Sequence, residues 1–160
     1  MSQTVQISDV RDFMTRHLAD VFETMLSMKA TPVPKAKQPL FGERVSGSVG
    51  FAGENVTGAV YLHLAAPFAN RVAAAMLGLP PEEAAGETDV NDVVGEATNM
   101  LTGGLKSWLC DTGSDCAVST PAIIRGNAFD IEPIAGVERE FLMFDCGGER
   151  LMVEVHIKFN

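Results

Sequence analysis

From Arg150 to Phe159 the chain alternates strictly: Leu151, Val153, Val155, Ile157 and Phe159 fall on one side, and Arg150, Met152, Glu154, His156 and Lys158 on the other. A period of two is the signature of a β-strand, whose successive side chains point to opposite faces. Gly147-Gly148 stands just before it and Phe141 to Cys146 before that. A glycine pair between two such runs reads as a tight antiparallel hairpin. This end of the chain is therefore predicted to be sheet with one buried face, and the rest must supply something to cover that face.

A second hairpin is predicted from Val45 to Phe51 and Val56 to Leu64, joined by Gly53-Glu54-Asn55. The cover is predicted as two long helices. The first spans residues 9 to 28, with Val10, Phe13, Met14, His17, Leu18, Val21, Phe22, Met25 and Leu26 at helical spacing and Ser8 as N-cap. The second spans residues 89 to 110. Three prolines between Thr31 and Pro39 end the first helix. Pro67 and Gly78 bracket a short helix, Pro80 to Gly86 reads as a linker, and an extended piece runs from Cys116 to Arg125. Helix then strands, repeated, reads as a loose duplication. The fold class is α+β: one domain over residues 1–160, a mostly antiparallel sheet with two long helices on one face.

Twelve basic residues against 21 acidic ones give a net charge of −9. That balance argues against nucleic acid and anionic membrane surfaces, which need clustered Lys and Arg. No apolar run is long enough to span a bilayer, and the N-terminus lacks the pattern of a signal peptide. The three cysteines, Cys110, Cys116 and Cys146, form no CxxC and read as reduced thiols of a cytoplasmic protein. His17, His63 and His156 are scattered, so no metal site is expected from this chain. His63 and His156 fall on strands, facing solvent or a satisfied core hydrogen bond.

Taken at about 100° per residue, Val90, Val93, Val94, Ala97, Leu101, Leu105 and Trp108 form the core face of the second long helix. Asp92, Glu96, Asn99 and Gly103 lie within roughly 60° of one another on the opposite side. On spacing alone such a polar stripe reads as a solvated face. Gly103-Gly104 costs about 1 kcal/mol per glycine relative to alanine, a cost tolerated where another helix or backbone comes close.

Asp92-x3-Glu96-x2-Asn99, with Pro121 downstream and the context Gly95-Glu96-Ala-Thr-Asn99-Met-Leu-Thr-Gly103, resembles the signature of the CheC, CheX and FliY family of chemotaxis phosphatases. Pro121 stands one position closer to the asparagine than is usual there. The resemblance implies hydrolysis of the aspartyl phosphate of a CheY-type response-regulator receiver domain. It gives Glu96 a salt bridge to the receiver's lysine and Asn99 the task of positioning the attacking water. Asp92 and Gly103 complete the contact stripe, and Pro121 supports its geometry. The magnesium ion belongs to the receiver, and no cofactor is expected in this chain. A leucine, Leu26, stands where the first helix would need an asparagine, so one site per chain is expected. That pattern is closest to the CheX branch, whose members form homodimers through sheet edges. The alternative is a non-catalytic receiver-binding or dimeric scaffold module of the same fold.

Overall fold

A computed structural model describes residues 4–34, 42–80, 83, 86–127 and 129–160. Helix α1 (Ile7–Leu26) leads to strand β1 (Ala30–Val33), and strands β2 (Glu43–Ala52) and β3 (Val56–Ala65) follow. A short helix α2 (Ala66–Leu77) and the long helix α3 (Glu87–Asp111) come next. Strands β4 (Ala117–Val118), β5 (Ala122–Asn127), β6 (Glu138–Cys146) and β7 (Glu149–Phe159) complete the chain.

Every strand pairing among the described residues is antiparallel, in the order β1-β6-β7-β3-β2, with β4 and β5 sharing the far side of β2. That order reads the same from either end. The first half contributes α1, β1, β2 and β3, and the second contributes α3, β4–β5, β6 and β7. β3 and β7 pair at the centre, and each half sends its outermost strand across to the other. The duplication expected from the helix and strand order is thus present as topology. Exchange of the outer strands makes the halves one folding unit.

All three helices cover one face. Leu62, Leu64, Leu151, Val153, Val155 and Ile157 meet Met14, Leu18, Phe22, Leu101 and Leu105 in a single core. Full burial of a side chain of this size contributes about 2 kcal/mol, which is why both long helices are held by their apolar stripes more than by their caps. The cap of α1 is Gln6, two residues before the expected Ser8; its backbone N–H donates to Asp9 Oδ2 at 2.9 Å. Pro67 and Gly78 do bracket α2, with Gly78 left-handed at the C-cap.

The proline-rich break held a strand as well as a helix end. Pro32 lies in β1, which among the described residues pairs on one side only, as an edge strand that tolerates a missing N–H. The rest of that segment, residues 35–41, lies outside the described residues, as does most of the expected linker (81–82 and 84–85).

The face of the sheet away from the helices is a second, polar interior. Met152, Glu154 and His156 alternate onto it from β7 and are all buried. Glu154 Oε1 meets His63 Nε2 at 3.0 Å; Oε2 meets His156 Nε2 at 2.5 Å and accepts from Arg139 Nε at 2.9 Å. Ser46 Oγ lies 2.6 Å from His63 Nδ1. If His63 Nε2–H donates to the carboxylate, Nδ1 is left to accept the serine proton, so Ser46 and both nitrogens of His63 are satisfied. Of the two readings of His63 and His156, the satisfied hydrogen bond is the one that holds. Burial pushes the Glu154 carboxyl up, but hydrogen bonds from His63 and His156 outweigh it and hold the group below its ordinary range.

Removing Glu154 takes a partner from buried His63 and His156 and one of the two carboxylates that pair with half-buried Arg139. We expect Glu154→Ala to cost about 3–5 kcal/mol in urea unfolding at neutral pH. A carboxylate held low stabilises the fold above its unfolded pKa, and that contribution is lost as pH falls through the folded value. The gap between wild type and variant should therefore narrow in acid; a gap that widens would contradict this assignment.

Candidate functional site

Helix α3 is seated by three contacts that its sequence makes possible. Gly104 lies under the His17 ring of α1, where any Cβ would overlap the imidazole. His17 stacks on Phe13 at 5.3 Å, and Phe13 stacks on Trp108 at 5.2 Å. Half of the glycine pair is thereby explained by helix approach, while Gly103 faces open space. On the sheet side, Gly47 of β2 lets buried Thr98 sit directly on the strand. Thr98 Oγ1 donates to the Val94 carbonyl at 2.7 Å, and Thr102 Oγ1 to that of Thr98 at 2.8 Å. These two threonines and Leu109 belong to the buried face along with the aliphatic residues expected there, whereas Trp108 is only half-buried.

The third contact comes from the strand flanking the helix. Arg125 of β5 donates to Asn91 Oδ1 through Nη2 at 2.7 Å and Nε at 3.2 Å, and lies 3.8 Å from Glu87. Pro121, in the break between β4 and β5, lies against Gly95, with its Cβ 3.5 Å from where a glycine Cβ would stand. The proline therefore touches the helix one residue before Glu96, as a spacer with no polar group of its own to offer.

Asp92 and Glu96 are exposed and Asn99 is half-buried. None of the three has a hydrogen-bond or ion-pair partner among the described residues. The structure places them together along one open helix face with Gly103. An unpaired carboxamide and an unpaired carboxylate one turn apart cannot carry out hydrolysis unaided, because the face has no nucleophile and no enclosing wall. They can recognise a donor and orient a small polar molecule between protein surfaces.

An arrangement with the order of a nucleophilic triad, Ser46–His63–Glu154, is closed to substrate: Ser46 and His63 are 0% exposed and Glu154 2%. It holds the sheet together. Among the described residues, no group of three or more His, Cys, Asp and Glu is placed to hold a metal ion. No described helix is long and apolar enough to cross a membrane. All three cysteines are free; Cys116 and Cys146 are buried, which pushes both thiols up.

Sequence reasoning missed the seating residues Gly47, Thr98, Asn91 and Arg125. The signal for Gly47 was legible, as a glycine at an inward position of a strand otherwise filled by valine and phenylalanine. It also missed Lys106, which lies seven residues beyond Asn99 and so on the same stripe.

A family model described as chemotaxis phosphatase CheX matches residues 45–145. Among solved structures, the chemotaxis protein CheX of Vibrio vulnificus is 26% identical over 97% of this chain and 100% of its own, with a TM-score of 0.80. A CheC-like superfamily protein from Shewanella sp. PV-4 is 27% identical over 92% of this chain and 96% of its own, with a TM-score of 0.77. The fold is also shared at a TM-score of 0.74 by a 21% identical chain in the CheX–CheY–BeF3–Mg2+ complex of Borrelia burgdorferi, over 92% of this chain and 97% of that one. A search of curated proteins gave no match.

Proposed function

The chain belongs to the chemotaxis phosphatase CheX family, and on that premise we propose that it hydrolyses the aspartyl phosphate of a CheY-type receiver domain. The observation that carries this reading is the pair Glu96 and Asn99, unpartnered and one turn apart on the open face of α3, within the matched residues. An open helix face of this kind suits a substrate that brings the enclosing site itself. The Borrelia complex, which joins a relative of this fold to CheY with BeF3 and Mg2+, supports that division of labour.

An acyl phosphate is already activated, and its hydrolysis asks for alignment and charge neutralisation more than for a strong base. Asn99 reaches toward the phosphoryl group and holds a water in line, its carbonyl accepting and its NH2 donating. Restricting that water can be worth several kcal/mol of barrier, about 7 kcal/mol in well-oriented cases. Glu96 pairs with a lysine of the receiver that otherwise faces the phosphoryl group, fixing where Asn99 arrives. The Mg2+ ion stays with the receiver. Asp92 and Gly103 extend the contact, Gly103 by keeping the stripe flat, and Pro121 holds the level of the helix through Gly95. The setting is the cytoplasm, and the outer edges of β1 and of β4–β5, unpaired among the described residues, suit pairing into a homodimer.

Reversing the docking charge tests this. With a beryllofluoride-activated receiver, Glu96→Lys is expected to weaken the complex at least tenfold and to lose stimulated phosphate release. A variant that binds as wild type does would remove Glu96 from the interface.

A further inference from the structure

The stripe on α3 is electrically directional. Asp92 and Glu96 are negative, Asn99 and Gly103 neutral, and Lys106 positive. Lys106 is the single basic residue of α3, against Glu87, Asp89, Asp92, Glu96 and Asp111. At 100° per residue it lies within about 20° of Asn99, two turns further along. It has no ion pair or hydrogen bond among the described residues, although Glu54 and Asp115 line the same surface pocket of about 520 Å3 at that end of the helix. Lys106 is half-buried, shares this pocket with two acidic residues and pairs with neither, so its ammonium remains available to a partner.

We propose that Lys106 is a positioning residue for the docked receiver, pairing with a carboxylate of its surface; this rests on the docking role proposed for the stripe. Glu96 and Lys106 stand ten residues apart, about 15 Å along the helix axis. A receiver that offers a lysine to Glu96 and a carboxylate 15 Å away docks in one direction. Turned end for end, it meets like charges at both points. Like-charge contacts select against wrong poses more strongly than opposite charges add affinity. The constraint matters because Asn99 acts only if it arrives in line with the phosphoryl group. It also meets a difficulty set by the net charge of −9, since a metal-binding receiver pocket is itself acidic. Lys106 supplies local attraction where the overall field opposes approach.

A lysine toward the end of a helix also complements the helix dipole. The test must therefore read what that contribution would not move. Lys106→Gln, Lys106→Glu and Lys106→Arg are compared for binding to a CheY-type receiver activated with beryllofluoride and Mg2+, and for KM and kcat on the phosphorylated form. Loss of the charge is expected to raise KM about two- to fivefold and its reversal about tenfold or more, with kcat retained and Lys106→Arg close to wild type. Added salt should weaken wild type more than Lys106→Gln. Unchanged KM in the Gln and Glu variants, or an Arg variant as impaired as Gln, would overturn the role of Lys106 while leaving the Glu96–Asn99 site standing. A wild-type chain that binds no receiver would overturn both.

Discussion

Asn99→Ala is expected to abolish stimulated release of phosphate from a phosphorylated receiver, by roughly 100-fold or more, with thermal unfolding and receiver binding close to wild type. The magnitude follows from removing a preorganised polar group aimed at the reacting centre. The survival of the fold follows from where Asn99 sits. Its side chain has no hydrogen-bond partner among the described residues, while its neighbours Thr98 and Leu101 carry the packing. Alanine is also the better helix former, by a few tenths of a kcal/mol. Asn99→Asp sharpens the result. It keeps the size but replaces two donor hydrogens by a negative charge beside a phosphoryl group, so it should fail as well. If Asn99→Ala released phosphate at the wild-type rate, water orientation by this residue would be wrong.

Gly47→Val is expected to destabilise the fold strongly although the residue lies off the exposed stripe. A Cβ at this position overlaps Thr98 Oγ1 and comes within 2.9 Å of Thr98 Cβ and 3.1 Å of the Val94 carbonyl oxygen. Thr98 cannot swing aside, because it is fully buried and its hydroxyl donates to that carbonyl. Relief therefore requires α3 to lift from β2. Overpacking of this kind costs about 3 kcal/mol, which lowers the melting temperature by on the order of 10 °C. The displaced helix also carries Asn99, one residue from the contact. Phosphatase activity measured well below the melting transition should fall too, although Gly47 touches no part of the exposed stripe. Unchanged melting would show that β2 yields instead of the helix.

The two outcomes illustrate what could be read from the residues alone. Periodicity located both hairpins and both long helices to within a few residues, because burial on one face imposes a repeat that the side chains must obey. It placed Asp92, Glu96, Asn99 and Gly103 on one stripe for the same reason. What it could not supply were pairings between distant segments. The exchange of β1 and β4–β5 between halves leaves no local trace, and β1 was hidden behind Pro32, which an edge strand tolerates. The strand β7 looked one-sided because Glu154 and His156 are polar. Both are buried, since Glu154 is satisfied by His156 and by the distant His63 on the face away from the helices. Polar residues that pair over long sequence distances look, one at a time, like surface.

The seating of α3 was likewise half visible. Gly103-Gly104 signalled a close approach, and the structure assigns it to Gly104 and His17 alone. Pro121, expected near the stripe from the resemblance alone, packs on Gly95, one residue before Glu96.

The most direct test of the proposed activity is a time course of inorganic phosphate release, with the phosphorylated CheY-type receiver in large excess over this protein. Many phosphates released per chain, at a rate far above the receiver's own decay and lost with Asn99→Ala, is the expected result. Release no faster than the receiver's own decay, or a phosphate protected in proportion to added chain, would contradict catalysis and leave a protein that binds receivers without turning them over.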